Sequence, residues 1–176
     1  MTKAEEALAI VVQEILQDPI GVFARQAYVD VLTPMPAAPN MPGEEVFSVV
    51  CSKVIPLNVE IVIIRPGKGV YLTPRNDKFF GTGWHFPGGC REPKSLLLED
   101  CARLVRRELG DEIRITRATQ IDFRDHPENP RFHDGCQIAL CMSIGEPKGG
   151  EYFSEMPETL IAHHKKYWPI IMPYLT

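Results

Sequence analysis

Trp84-His85-Phe86-Pro87-Gly88-Gly89-Cys90-Arg91 runs directly into a helical pattern that carries one carboxylate on an otherwise apolar stripe. Neither glycine has a Cβ, so backbone can approach a ligand closely and turn amides or carbonyls toward phosphate or metal. In the helical stretch Leu97, Cys101, Leu104 and Glu108 share one stripe, beside a second of Leu98, Ala102, Val105 and Leu109. Glu108 is thus turned toward a core where a lone carboxylate is costly unless a cation or hydrogen bonds satisfy it. Arg103 and Arg107 occupy an adjoining face. One glutamate edged by arginines beneath a glycine loop suits a metal-bridged phosphate ligand. The same residues also read as a structural ion pair, and at this level both readings stand.

The elements that must hold this stretch lie on both sides of it. Leu96 to Leu109 predicts a helix with Ser95 as N-cap, Glu99 and Asp100 in its first turns, Arg103, Arg106 and Arg107 near its end, and Gly110 as its stop. Asn58 to Ile64 is β-branched and predicts a strand, with 65–69 a turn into a short strand over Val70 to Thr73. Further strands are expected over Ala118 to Phe123 and Gln137 to Ile144, separated by a polar loop from Asp125 to Gly135. A last helix is expected from Pro157 past His164. Upstream, Ala4 to Gln17 and Val22 to Leu32 carry helical spacing, and four prolines between Pro34 and Pro42 predict a stiff linker. Strands, one capped helix and strands again indicate a mixed α/β domain starting near Glu44.

The bulk properties narrow the classes. With 176 residues, 44% hydrophobic and 24% charged, the chain has ordinary globular composition for one main domain. No apolar run reaches the ~18 residues of a membrane span, and Met1 to Glu6 lacks a basic-then-apolar leader, so a cytoplasmic location is expected. A net charge of −4 argues against a nucleic-acid partner but leaves room for a small phosphate ligand. The five cysteines are odd in number and contain no C-x-x-C pair, which argues against a disulfide framework or zinc knuckle. Most read as core residues; Cys90, beside two glycines, is expected outside the core.

Gly89 to Asp111 resembles the Nudix box: Gly89, Arg103, Val105, Glu108 and Gly110 fall in register with that family's motif. Ser95, Leu104 and Arg107 stand where the motif has glutamates, and Asp111 stands at its last apolar position. The segment Arg103-Leu104-Val105-Arg106-Arg107-Glu108-Leu109-Gly110 is similar to the GDP-mannose mannosyl hydrolase branch, which also has leucine after the arginine, has lost the first of the paired glutamates and keeps the last. Phe47 to Val50 and Ile55 to Glu60 resemble that branch's opening helix and first strand, and 164–168 its closing His-x-x-Tyr segment. The resemblance implies an α+β Nudix fold, a mixed sheet sandwiched between helices, over 44–176. Residues 1–43 would be a helical extension, able to exchange across a homodimer or cover the site.

It also implies a reaction: hydrolysis of a nucleoside diphosphate sugar at the anomeric carbon, assisted by one Mg²⁺ rather than several. Carried over by position, Glu108 and the Gly88 carbonyl would ligate the metal, with His163 where the branch has a metal-binding glutamine. His164 would be the general base, supported by Tyr167, while Arg75 and Arg103 would contact diphosphate or orient the site. Gly89, Arg91 and Glu60 would contact substrate. Each has an alternative: Arg75 as a turn residue, Arg103 as a helix-end charge, Glu60 on a solvent face. His163 and His164 exchange roles if the register shifts by one, and His126 and His133 are rivals for the base. Pyrophosphohydrolysis at phosphorus and non-catalytic nucleotide-sugar binding are the competing functions.

Overall fold

The computed structural model describes residues 44–51 and 54–175; the helices and linker expected within residues 1–43 lie outside them. Helix α1 (Glu44–Cys51) leads into β1 (Leu57–Arg65), β2 (Gly69–Asp77), β3 (Gly81–His85) and the three-residue β4 (Gly88–Cys90). Helix α2 (Leu97–Leu109) follows, then β5 (Arg114–His126), β6 (Asp134–Ile144) and β7 (Glu151–Phe153). Short helices α3 (Ala162–Lys165) and α4 (Trp168–Ile171) close the chain before a 3₁₀ turn.

The sheet is mixed. Its main order is β3-β2-β1-β6-β5, with β4 pairing β1 and β7 pairing β2. β1 and β6 run parallel while the other pairs are antiparallel. One edge of β1 is shared: Ile64 and Arg65 pair with β2, whereas Asn58, Val59 and Glu60 pair with β4. β2 and β4 therefore diverge from a common strand, and the space between them is the mouth of the site.

Alternation along β1 sends Val59, Ile61 and Ile63 against Cys101, Leu104, Val105 and Leu109 of α2. Val62 faces the other way, into a core with Phe86, Ile138, Tyr167, Trp168 and Ile171. Both faces of the sheet are thus covered, and the α+β architecture agrees with expectation. No helix among the described residues is long and apolar enough to cross a membrane.

Several boundaries differ for identifiable reasons. α2 starts after Leu96 rather than on a Ser95 cap; the Glu99 carboxylate accepts the Leu96 N–H at 2.8 Å. β2 continues through Pro74 to Asp77 because that half pairs with β3, Pro74 standing opposite Trp84. β5 extends well beyond 118–123 because it pairs with β6 along its length; as an edge strand it carries charges in place of an apolar alternation. The intervening loop is shorter by the same residues. The C-terminal helix starts at Ala162, not Pro157, because Leu160 first bridges to Trp84. Cys90, expected outside the core, is only 8% exposed.

Candidate functional site

A cavity of about 720 Å³ opens where β2 and β4 separate. Its inner end is built around Gly88. Register places Gly88 opposite Glu60, and a Cβ on Gly88 would lie 2.3 Å from the Val59 carbonyl oxygen and 2.7 Å from Glu60 Oε2. Only glycine lets the loop lie this close to that carboxylate. From the α2 side, Glu108 Oε2 accepts the Gly88 N–H at 3.2 Å. Two carboxylates from opposite sides of the sheet thus converge on one glycine. Arg107 closes the Glu108 side: its guanidinium donates to Glu108 Oε1 at 2.6 Å and reaches the Gly88 carbonyl at 3.5 Å.

The electrostatics of this end are unresolved within the protein. Glu60 is held well above the ordinary carboxylate range, first by burial and then by the charge of Glu108, with Arg75 opposing. Its Oε2 is buried and has no hydrogen-bond partner among the described residues. A cation between Glu60 and Glu108 would satisfy that oxygen and offset the repulsion, and oxygen donors suit a hard divalent ion. The residues fit such an ion, with the Gly88 carbonyl as a third donor.

Histidines line the next layer. His163 lies on the cavity wall, its ring 4.9 Å from Phe80 and 4.2 Å from His164. Burial, then His164 and His126, press its pKa down to about 2. His164 is fully buried behind it; its Nδ1 accepts the Phe86 N–H at 3.0 Å, and its Nε2 stands 3.3 Å from Glu60 Oε1. Donor atoms of Glu60, His163 and His164 all lie within 4.8 Å of one another. His85 also lines the cavity, pairs with Thr73 Oγ1 at 3.0 Å, and is pushed down to about 3 by burial and then His164. Arg75 faces the cavity with its guanidinium over the Phe80 ring at 4.3 Å, held by the Asp77 carboxylate.

The outer end is aromatic and amide-rich. Phe47 meets Phe132 edge-on at 5.4 Å, and the Arg131 guanidinium sits over both rings and over Phe79. Asp134, 5% exposed, accepts amide hydrogens from Asn58 at 2.5 Å and Asn129 at 2.9 Å.

Of the residues singled out from sequence, Glu60, Arg75, Gly88, Gly89, Glu108 and His163 come together on one cavity. His164 and Tyr167 lie buried behind it, Tyr167 hydroxyl pairing with His126 Nε2 at 2.6 Å. Arg91 and Arg103 lie outside the cavity wall, on Asp100. Arg91 Nε donates to Asp100 Oδ2 at 2.8 Å and its other nitrogens to Gln137 and the Ser95 carbonyl. Arg103 donates to Asp100 Oδ1 at 2.8 Å and the Cys90 carbonyl at 2.9 Å. His133 pairs with Asp125 at 2.6 Å, away from the cavity lining. Asn58, His85, Arg131 and Asp134 line the same cavity with no spacing or motif that singles them out in the sequence. The pairing of His85 with Thr73 across β2 and β3 is a register effect, invisible before the strands are aligned.

Comparison with known proteins agrees with this architecture. Residues 55–165 match the NUDIX domain model. A MutT Nudix hydrolase from Burkholderia pseudomallei superposes with a TM-score of 0.54 at 21% identity, covering 65% of this chain and 95% of that one. The Nudix domain of Shewanella oneidensis NrtR, solved with ADP ribose, gives 0.54 at 17% identity over 70% and 90%. A bifunctional NMN adenylyltransferase/ADP ribose pyrophosphatase from Francisella tularensis gives 0.52 at 11% identity, over 90% of this chain but only 54% of that one. No curated protein matches the chain. The domain match spans well over half the sequence and encloses the glycine loop, α2 and the paired carboxylates: the chain belongs to the Nudix hydrolase family.

Proposed function

We propose that this chain hydrolyses a nucleoside diphosphate sugar at the anomeric carbon, releasing free sugar and nucleoside diphosphate, with one Mg²⁺ at the inner end of the cavity. The observation that carries the reading is the sparse carboxylate complement there. Glu60 and Glu108 flank Gly88, and one imidazole, His163, shares the wall. Attack at phosphorus meets a centre crowded with negative oxygens, where several carboxylate-held cations are useful. Leu104 is instead core, and Arg107 is itself cationic. Attack at carbon asks mainly that the departing diphosphate be stabilised.

Glu60, Glu108 and the Gly88 carbonyl would hold the ion, which when bound offsets the charge of the leaving diphosphate. Arg75 adds a fixed positive charge on the same wall. His163 is neutral, so its imidazole accepts the proton of the attacking water; His164, closed from solvent, does not reach it. The oxygen of water bonds to the anomeric carbon as the carbon–oxygen bond to diphosphate breaks, and the electron pair leaves with the diphosphate. Burial, His164 and His126 depress His163 most; an anionic diphosphate beside Arg75 offsets only the smaller share that Arg75 adds, and raises the basicity of His163 by that share once substrate is bound. The outer Phe47, Phe132 and Asp134 region suits a nucleobase, offering flat apolar walls with a few polar anchors.

The test is a nucleotide-sugar panel in ¹⁸O water with Mg²⁺ omitted and restored. Free sugar carrying the label is the expected product. Label in phosphate, with two monophosphate products, reassigns cleavage to phosphorus. His163→Ala is expected to depress turnover by about 100-fold or more while changing substrate affinity far less.

A further inference from the structure

The two ring nitrogens of His164 stand in different surroundings, and the one that is bonded dictates the state of the other. Nδ1 accepts the Phe86 N–H in a buried contact of 3.0 Å. A backbone N–H is only ever a donor, so Nδ1 keeps its lone pair and the neutral ring carries its hydrogen on Nε2. Nε2 stands 3.3 Å from Glu60 Oε1 but makes no hydrogen bond to it or to any other described residue. We infer that His164 is a positioning residue of fixed tautomer: the Phe86 N–H holds Nδ1, and the unsatisfied Nε2–H this leaves 3.3 Å from Glu60 Oε1 limits where that carboxylate can lie beside Gly88.

An imidazole held this way has no spare lone pair with which to take a proton from water or ligate a cation. Of the three groups whose donor atoms cluster within 4.8 Å, His164 is therefore not a ligand; it acts through Glu60. The lock comes from the loop that carries the site. Phe86 holds His164, the Pro87 carbonyl accepts the Ile61 N–H at 2.8 Å, and the Gly88 N–H holds Glu108. Loop, histidine, β1 and the Glu108 carboxylate are thereby registered to one another. The steering of a cation ligand rests on the placement of the cation proposed above; the tautomer does not.

Long-range ¹H–¹⁵N correlation on the full ¹⁵N-labelled chain reads the tautomer directly, without metal or substrate. A bare-nitrogen shift at Nδ1 and a protonated-nitrogen shift at Nε2 are expected for His164. The reverse pattern, or two protonated nitrogens, overturns the inference. Mn²⁺ alone, titrated by electron paramagnetic resonance, reads the steering. His164→Asn keeps an acceptor for Phe86 but removes the arm toward Glu60, and is expected to weaken Mn²⁺ about 10- to 100-fold. His164→Gln, whose amide reaches further, should recover part of that loss. Unchanged Mn²⁺ affinity in His164→Asn, with or without lost turnover, overturns the steering role. If either variant fails to fold, the wild-type tautomer still decides. A panel that finds no nucleotide-sugar substrate sinks the proposed reaction and leaves both of these measurements standing.

Discussion

Two acid–arginine clusters lie within one short stretch of this chain, and they differ in what is left over. On the Asp100 carboxylate nothing is. Its carboxylate is 0% exposed and accepts from Arg91, Arg103 and the Glu92 N–H at 2.8, 2.8 and 3.0 Å. Burial alone would raise its pKa, but those hydrogen bonds outweigh it and hold it below the usual range. Around Gly88 the sums do not close. Glu60 keeps a buried, unpartnered oxygen and a raised pKa, and faces a second carboxylate. A buried charge completely paired is scaffold; one left short of partners inside a cavity is poised for something that arrives from outside.

The largest expected effect falls on the scaffold. Asp100→Ala leaves Arg91 without its anion and Arg103 with Glu92 alone, and removing one partner from a buried pair costs about 3 kcal/mol or more. Urea unfolding should show that loss, with metal affinity per folded molecule near wild type. If stability holds and metal binding collapses, the two clusters have been assigned the wrong way round.

Next comes Glu108→Gln. It keeps the acceptor for Gly88 N–H while removing the charge, so turnover should fall about 100-fold or more with the unfolding midpoint held or raised. Relief of the repulsion on Glu60 is the reason for the latter. A rate within a factor of two of wild type would remove Glu108 from the site and return it to a plain ion pair with Arg107.

The pH response sharpens the contrast. His85 is neutral in the fold with a pKa of about 3, against about 6.5 in the unfolded chain. The unfolded state therefore binds the extra proton as pH falls below 6.5. Stability from this group is complete above that value and drains away toward pH 3, at up to about 1.4 kcal/mol per pH unit. His85→Gln, which can still pair with Thr73, should flatten the acid side of the stability curve. An unaltered slope would mean that His85 is already charged in the fold.

How far all this was legible from residues alone follows the same division. The glycine loop, α2 and the inward turn of Glu108 were readable because spacing on one helix fixes relative direction. So was the β1 alternation that buries Val59, Ile61 and Ile63, though not which face Glu60 would take. Arg91 and Arg103 looked like ligand contacts because sequence gives a cation's presence and not its partner; Asp100 claims both. The neighbourhood of His85, Asn58 and Asp134 depends on strand register and on loop closure over 127–133, which bring together residues up to 76 positions apart. The length of β5 was missed because an edge strand satisfies its pairing on one side only and needs no apolar alternation.

The smallest effect is the most direct check on the comparison, because it concerns the residue next to Asp100. Glu99 sits in the same turn of α2 and also accepts a hydrogen bond, from the Leu96 N–H at 2.8 Å, but it does so in exposed surroundings. It satisfies one of the free amides at the helix start and favours the positive end of the helix dipole. Water replaces it when it is removed. Glu99→Ala should therefore cost only about 0.5–1 kcal/mol, several-fold less than Asp100→Ala, and the difference should shrink for neither salt nor temperature within the range where the chain is folded. Equal costs at the two adjacent positions would mean that Asp100 works as a helix-start charge, and that the arginines around it are free to serve the cavity after all.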